Sequence, residues 1–321
     1  MKIVMLEPIG ISEKDLHKYS KKLEDLGHEF ISYDNRVEED KKIIERAQDA
    51  DIIIITNLPL SANVVDSCSN LKFISVAFTG VDHIDIEACN ENNVVVSNSS
   101  GYSDQSVAEL VFGLVINLMR NIVDCDSATR KGQTRSGLIG NEISNKNFGI
   151  VGTGNIGLQV AKIAKAFGCN LLGNDIKENK EAKDLGMEYV DLEELMKKSD
   201  IVSIHVPLMD STKNLIDKKE ISLMKEDALF INCARGPIVN SFALAEALDN
   251  GKIAGAGIDV FEMEPPIPKD HPLLNAKNTI LTPHVAFATR EAFIKRADIV
   301  FNNIFKWLEN EPQNVVNPIE K

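Results

Sequence analysis

The chain has 321 residues with 35 basic and 48 acidic side chains, a formal net charge of −13. At roughly 100–200 residues per domain this length points to two domains, and 44% hydrophobic with 26% charged residues is the balance of a folded globular protein, which excludes global disorder. The acidic excess argues against nucleic acid or an anionic membrane as the main partner, since both recruit basic patches. It leaves room for a local cation that grips an acidic substrate.

From the N-terminus, MKIVMLEPIG meets Glu7 too early for a secretory h-region. The runs KIVMLE, DIIIIT, FISVA and VVVSN read as buried strands, and residues 13–27, 38–48 and 63–70 between them have helical spacing. Continuous apolar runs, rather than alternating ones, belong to strands covered on both faces. Strand–helix alternation of this kind builds parallel sheets in an α/β architecture. Residues 103–130 then read as one long helical segment, beginning after Ser99-Ser100-Gly101. Its apolar run, Leu110 to Met119, contains Gly113 and Asn117 and falls short of the roughly 18 residues of a membrane span, so no membrane is expected. A Gly-rich polar loop, KGQTRSGLIGNEISNKN, follows. A second alternating series starts at Phe148 with FGIVG, NLLGND, DIVSIHV, ALFINC, GAGIDV and TILTP, separated by helical stretches such as 155–167 and 241–250. The chain closes on an amphipathic helix from Thr289 to about Asn310. Two series imply two doubly wound parallel-sheet domains, about 1–100 and 101–287; the pattern alone leaves open where the last helix packs. The five cysteines (Cys68, Cys89, Cys125, Cys169 and Cys233) are odd in number and form no CxxC. Neither a metal site nor a disulfide framework is expected, and a reducing cytoplasm fits.

The strongest local signal is FGIVGTGNIGLQVAKIAKAFG, where Gly152, Gly154 and Gly157 form G-x-G-x-x-G between an apolar strand and an amphipathic helix. The first glycine permits a tight turn, the second lets backbone approach a pyrophosphate, and the third lets helix and strand pack closely. The phosphates would sit at the helix N-terminus. Asp175 ends the next strand, 18 positions past Gly157, close to the roughly 20-residue spacing of a ribose-binding acid. Such a carboxylate accepts from ribose hydroxyls and repels a 2′-phosphate, which points to NAD over NADP. No arginine adjoins it, and Lys177 is the nearby cation.

Three charged or titratable residues lie just beyond later strands. Arg235 follows ALFINCA, Glu264 lies five residues after Asp259 at the end of GAGID, and His284 follows TILTP. In open α/β sheets ligands bind beyond the carboxyl ends of the strands, so all three are placed toward a cofactor's reactive end. Singly, each fits a bland role: a surface ion pair, a solvated loop charge, a histidine packed beside Pro283.

With these motifs in order, the sequence resembles the D-isomer-specific 2-hydroxyacid dehydrogenase family. VGTGNIG, SIHVPL, FINCARGPIVN, GAGIDVFEMEPP and LTPHVAFATREA carry the likeness, with FISVAFTGVDHID and SVAEL upstream. The resemblance implies a Rossmann-type cofactor domain over 101–287 and a flavodoxin-like substrate domain over 1–100 and 288–321, with a homodimer interface built by the segment after Gly101. It implies Arg235, Glu264 and His284 as catalytic residues acting on a small 2-keto or 2-hydroxy acid with NAD. Reducing a 2-keto acid needs a hydride at C2 and a proton on the oxygen, which His284 as imidazolium would supply. A nearby carboxylate stabilises imidazolium, the role implied for Glu264. The planar fork of Arg235 suits a carboxylate and can polarise a ketone. Substrate contacts implied beside Arg235 are Thr79, Gly80 and Val81, through backbone N–H groups of the first domain. Thr79, Asn155, Ile156, Val206, Pro207, Cys233, Ala234, Arg235, Asp259, His284 and Phe287 join the glycines and Asp175 as cofactor contacts. His205 is read as structural, shaping the nicotinamide pocket, and Cys233 as a small buried residue rather than a nucleophile.

For the substrate, relatives that use phosphoglycerate commonly carry an arginine where this chain has Val76, and IIIITNLP likewise lacks a cation for a phosphate. No regulatory domain like that of the longer phosphoglycerate dehydrogenases is expected after the last helix, but short forms of that enzyme exist, so length alone does not decide. HVAFATREA is similar to glycerate dehydrogenases, also called hydroxypyruvate reductases, which makes hydroxypyruvate or glyoxylate the expected substrate. Phe78 and Phe287 equally fit a pocket for an apolar 2-keto acid. Formate dehydrogenases replace the acid of the triad with glutamine, so Glu264 argues against that activity. A phosphoglycerate dehydrogenase without a regulatory domain and an NAD-sensing corepressor-like binding protein are the alternatives.

Overall fold

A computed structural model describes residues 1–263 and 266–317. The chain divides into two units, Met1–Ser103 with Ala288–Lys321, and Asp104–Phe287. In the first unit the strands are β1 (Lys2–Met5), β2 (Glu29–Ser32), β3 (Ile52–Ile55), β4 (Phe73–Val76) and β5 (Val95–Ser97). They pair in parallel in the order β2-β1-β3-β4-β5, the flavodoxin-type winding. β3 and β4 are buried along their whole length, as their unbroken apolar runs require. β2 has no such run: Glu29 and Ser32 are exposed at the sheet edge, which is why EFIS did not read as a strand.

Helix Arg290–Leu308 belongs to this first unit. Phe301 stacks on Tyr19 with ring centroids 4.4 Å apart, and Trp307 stacks on Phe73 at 5.2 Å. Ser75 Oγ donates to the carbonyl of Val300 at 3.0 Å. An apolar helix face, including Ala297, Val300, Phe301 and Ile304, thereby covers β1, β3 and β4.

The second unit holds β6 (Asn147–Val151), β7 (Asn170–Asn174), β8 (Glu188–Tyr189), β9 (Ile201–Ile204), β10 (Leu229–Asn232), β11 (Gly255–Ile258) and β12 (Thr279–Leu281). All pair in parallel, in the order β12-β11-β10-β9-β6-β7-β8. That is the Rossmann order with one further strand beyond β11, and its switch point falls between β6 and β9. Two separate apolar clusters, one around Phe230 and Leu244 and one around Phe148 and Val111, cover the faces of the sheet. β8 is two residues long with Glu188 exposed, too short to leave a hydrophobic signature.

The segment expected as one helix over 103–130 is two, Asp104–Arg120 and Ile122–Arg130, bent by 56°. Asn121 between them has φ 51°, in the left-handed region, which an α-helix cannot continue through and asparagine tolerates best among non-glycines. The first of the pair is mostly buried on its inner face, from Val107 to Met119. Among the described residues no single helix is long and apolar enough to cross a membrane.

Candidate active site

Because every strand of the second sheet runs the same way, the residues after β6, β7, β9, β10, β11 and β12 all leave the sheet at its carboxyl end. The glycine loop leaves β6. Gly152 has φ 93°, and a side chain there would lie 2.7 Å from the carbonyl carbon of His205. A Cβ on Gly157 would come within 2.0 Å of the Gly152 oxygen. The fold itself therefore demands the first and third glycines. Gly154 is different: it caps helix Asn155–Ala166, it is exposed, and a Cβ there would meet nothing within 4 Å. Space left bare in front of a helix N-terminus is what a pyrophosphate needs, so the residues present fit a dinucleotide. Asn155 and Ile156 occupy the first turn of the same helix.

Asp175 follows β7, and its carboxylate is tied to the glycine loop. Oδ2 accepts from the backbone N–H and the hydroxyl of Thr153, at 2.6 and 3.1 Å, and Oδ1 accepts from the N–H of Lys177 at 3.2 Å. Ile176, beside it, is fully exposed. After β9, His205 Nε2 lies 2.8 Å from Ser203 Oγ, and burial lowers its imidazole to about 3. A neutral ring tied to its own strand fits the structural role read for it. Val206 and Pro207 continue the chain past that strand end, half-buried and exposed respectively.

The ends of β10, β11 and β12 form one hydrogen-bonded unit. Buried Asn232 accepts from the N–H of Ala234 at 3.0 Å and donates through Nδ2 to the carbonyl of Arg235 at 3.0 Å. Its own carbonyl accepts from the N–H of Asp259 at 3.0 Å. The carbonyl of Asp259 accepts in turn from the N–H of His284 at 2.8 Å. The turns carrying Arg235 and His284 are thus connected through two buried polar residues. Arg235 is half-buried, with one guanidinium N–H donated to the carbonyl of Ala234 at 2.8 Å. Gly236 after it has no room for a side chain, because a Cβ would lie 1.9 Å from the carbonyl carbon of Phe261. Backbone from the β10 turn and the β11 turn therefore pack directly on each other.

Asp259 is fully buried, and its carboxylate serves the His284 turn. Oδ1 accepts from the Thr282 hydroxyl at 2.5 Å and the Val285 N–H at 2.9 Å, and Oδ2 from the Ala286 N–H at 2.9 Å. Burial pushes this carboxyl above its ordinary range, and these three donors work against that shift. His284 itself has φ 56°, and its ring stands edge-on to Phe287, centroids 5.2 Å apart. Cys233 is buried, and burial together with Asp259 holds its thiol well above the usual range, so it is no nucleophile.

Glu264 lies outside the described residues. The segment leading to it is anchored: buried His271 Nε2 lies 2.8 Å from Glu262 Oε2 and packs edge-on to Phe261, centroids 5.3 Å apart. Burial works to raise the Glu262 carboxyl, but hydrogen bonds from Ser241 and His271 bring it below the ordinary range.

Thr79, Gly80 and Val81 lie in the other unit, in the turn after β4. Ser99 and Asn98 secure the carbonyls of Val76, Phe78 and Thr79. Among the described residues the N–H groups of Thr79, Gly80 and Val81 donate to no partner. Asn232, Thr153 and the supporting side of Asp259 escaped the sequence reading. Their motifs were visible, but their work is internal hydrogen bonding, which a linear pattern does not display.

A parallel sheet whose first turn is shaped for a pyrophosphate, and whose later strand ends present an arginine and a histidine, is the apparatus of a nicotinamide-dependent oxidoreductase. Residues 112–286 match the family model described as D-isomer specific 2-hydroxyacid dehydrogenase, NAD binding domain. The chain belongs to this family of NAD-dependent dehydrogenases. It is 35% identical to a hydroxypyruvate reductase of Blautia hydrogenotrophica, over 99% of this chain and 100% of that one. It is 42% identical to a D-3-phosphoglycerate dehydrogenase of Methanocaldococcus jannaschii over 86% of this chain, and spans 53% of that longer protein. The D-lactate dehydrogenase of Aquifex aeolicus, solved with NAD and lactic acid, superposes with a TM-score of 0.86 at 27% identity, covering 100% of both chains.

Proposed function

We propose that the protein reduces a small 2-keto acid, hydroxypyruvate or glyoxylate, to the D-2-hydroxy acid. The observation that carries this reading is the connected turn system of β10, β11 and β12, which presents Arg235 and His284 on the same end of the sheet as the dinucleotide loop. Bound NADH supplies the hydride that C2 of the keto acid receives. Arg235 grips the substrate carboxylate and polarises the ketone through its planar donor fork. His284 as imidazolium delivers the proton to the carbonyl oxygen and is reprotonated from solvent. Glu264 is assigned to stabilise that imidazolium, and Thr79, Gly80 and Val81, whose N–H groups donate to no partner among the described residues, are assigned as the further carboxylate donors. Asp175 selects NAD over NADP.

The substrate assignment is supported by the full-length similarity to a hydroxypyruvate reductase and by Val76. That residue is 0% exposed within β4, so the position offers a phosphate no cation. The identity to a phosphoglycerate dehydrogenase favours 3-phosphohydroxypyruvate as a second reading. NADH oxidation measured with hydroxypyruvate, glyoxylate, pyruvate, 3-phosphohydroxypyruvate and a branched 2-keto acid separates them. The highest kcat/KM is expected on hydroxypyruvate or glyoxylate; a maximum on the phosphorylated acid would replace this reading with the second.

A homodimer is part of the same proposal, supported by exposed apolar side chains at the helix bend and the following loop, Ile122 (47%), Val123 (55%) and Ile139 (88%). Light scattering on the protein and on Ile139→Asp tests it. A cytoplasmic location accords with five free cysteines, four of them buried.

A further inference from the structure

Beyond the carboxylate of Asp175, three residues form a hydrogen-bond chain that ends on it. The backbone N–H of Asn179 donates to the Tyr189 hydroxyl at 2.8 Å, the Tyr189 hydroxyl donates to Thr153 Oγ1 at 2.7 Å, and Thr153 Oγ1 donates to Asp175 Oδ2 at 3.1 Å. The sense of this chain is forced. A backbone N–H can only donate and a carboxylate can only accept, so each hydroxyl between them has one orientation. Bonds aligned head to tail polarise one another. Asn179 closes the loop through its side chain, donating from Nδ2 to the carbonyl of Thr153 at 2.9 Å.

The sheet makes room for this arrangement. Tyr189, in β8, pairs in register with Gly173 of β7. A Cβ on Gly173 would lie 2.4 Å from Met187 Sδ and 3.2 Å from Tyr189 Cε1. Glycine at 173 is what lets the tyrosine ring approach. Thr153 is 1% exposed, so its hydroxyl must find partners inside the protein. Oδ2 of Asp175 is filled by the two Thr153 donors, whereas Oδ1, with one backbone N–H at 3.2 Å, keeps acceptor capacity for a ribose hydroxyl.

We propose that Tyr189 and Thr153 are positioning residues for cofactor selection, holding Asp175 in the one orientation that accepts a ribose hydroxyl and opposes a 2′-phosphate. Neither touches the cofactor in this account; both act through Asp175, so the inference rests on the reading of Asp175 as the selecting acid. Without the hydroxyl chain the carboxylate keeps only the backbone N–H groups of Thr153 and Lys177 and is held less narrowly, which weakens NADH and relieves the repulsion of NADPH.

The test is equilibrium binding of NADH and NADPH to the intact protein, followed by nucleotide fluorescence, for Tyr189→Phe, Thr153→Val and Thr153→Ser in the parent and in Asp175→Ala. Losing one such hydrogen bond should weaken NADH about 3- to 10-fold while NADPH stays level or improves. Thr153→Ser, which keeps the hydroxyl, should behave as the parent. In the Asp175→Ala background Tyr189→Phe and Thr153→Val should change NADH binding less than about 2-fold, since coupled residues lose their effect when the partner is gone. Equal weakening of both nucleotides, or the same loss with and without Asp175, would overturn the inference and leave the role of Asp175 intact. If Asp175→Ala alone leaves the preference between nucleotides unchanged, the reading of Asp175 falls and the inference falls with it.

Discussion

Asp259 draws His284 into the left-handed conformation by collecting the amides beside it. With Val285 and Ala286 N–H groups on its carboxylate and the His284 N–H on its carbonyl, the turn closes with His284 at φ 56°. Left-handed backbone costs an L-residue roughly 1–2 kcal/mol, and this set of bonds to a buried anion offsets it.

Asp259→Asn should therefore damage both catalysis and stability. An amide replaces one acceptor oxygen with a donor, which meets either the N–H of Ala286 or the donors from Thr282 and Val285. Leaving one buried N–H unpaired costs about 1–3 kcal/mol, visible as a lower urea midpoint. Misplacing His284 by an ångström should cut kcat on hydroxypyruvate roughly 100-fold. An unchanged kcat with an unchanged midpoint would show that the clamp is dispensable.

For His284 itself, the informative replacement is Asn, because asparagine tolerates left-handed backbone and keeps the turn. His284→Asn should lower kcat by roughly 10²–10⁴-fold, the usual scale for losing a general acid, with NADH affinity within about 2-fold of the parent. Turnover near the parent rate would remove His284 from the proton transfer.

Arg235→Lys retains the charge but not the fork. One group orients the ground state and polarises the ketone, so KM should rise and kcat fall together. A change in KM alone would confine Arg235 to binding.

His205 makes a stability prediction with a definite sign. Its imidazole is held at about 3 in the fold against roughly 6.5 when unfolded. Between those values the unfolded chain binds the extra proton. The contribution of the neutral ring is complete above about pH 6.5 and is lost as pH falls toward 3, by up to ~1.4 kcal/mol per pH unit. Urea midpoints of His205→Gln, which cannot titrate, should fall less steeply than those of the parent between pH 6.5 and 4. Parallel slopes would mean that the ring is not held neutral.

The sequence by itself determined the two α/β units, the family and the dinucleotide loop, and it named Arg235, Glu264 and His284 as the residues proposed to act on substrate. Short unbroken β-branched runs such as IIII at β3 favour strands buried on both faces, and G-x-G-x-x-G between strand and helix carries its own chemistry. Where the information is not local, the linear pattern failed. β2 and β8 are edge strands without an apolar run, and the bend at Asn121 depends on one backbone angle. That Gly154 alone of the three glycines is bare for a ligand appears only when neighbouring backbone is in place around Gly152 and Gly157. Tertiary structure likewise decided that Asn232 and Asp259 bond to the turns of Arg235 and His284, and that Thr153 and Tyr189 lie in a hydrogen-bond chain to Asp175. Their partners come from other strand ends, up to 36 positions away between Thr153 and Tyr189, and hydrogen bonds of that kind exist only once the sheet has set the strands side by side.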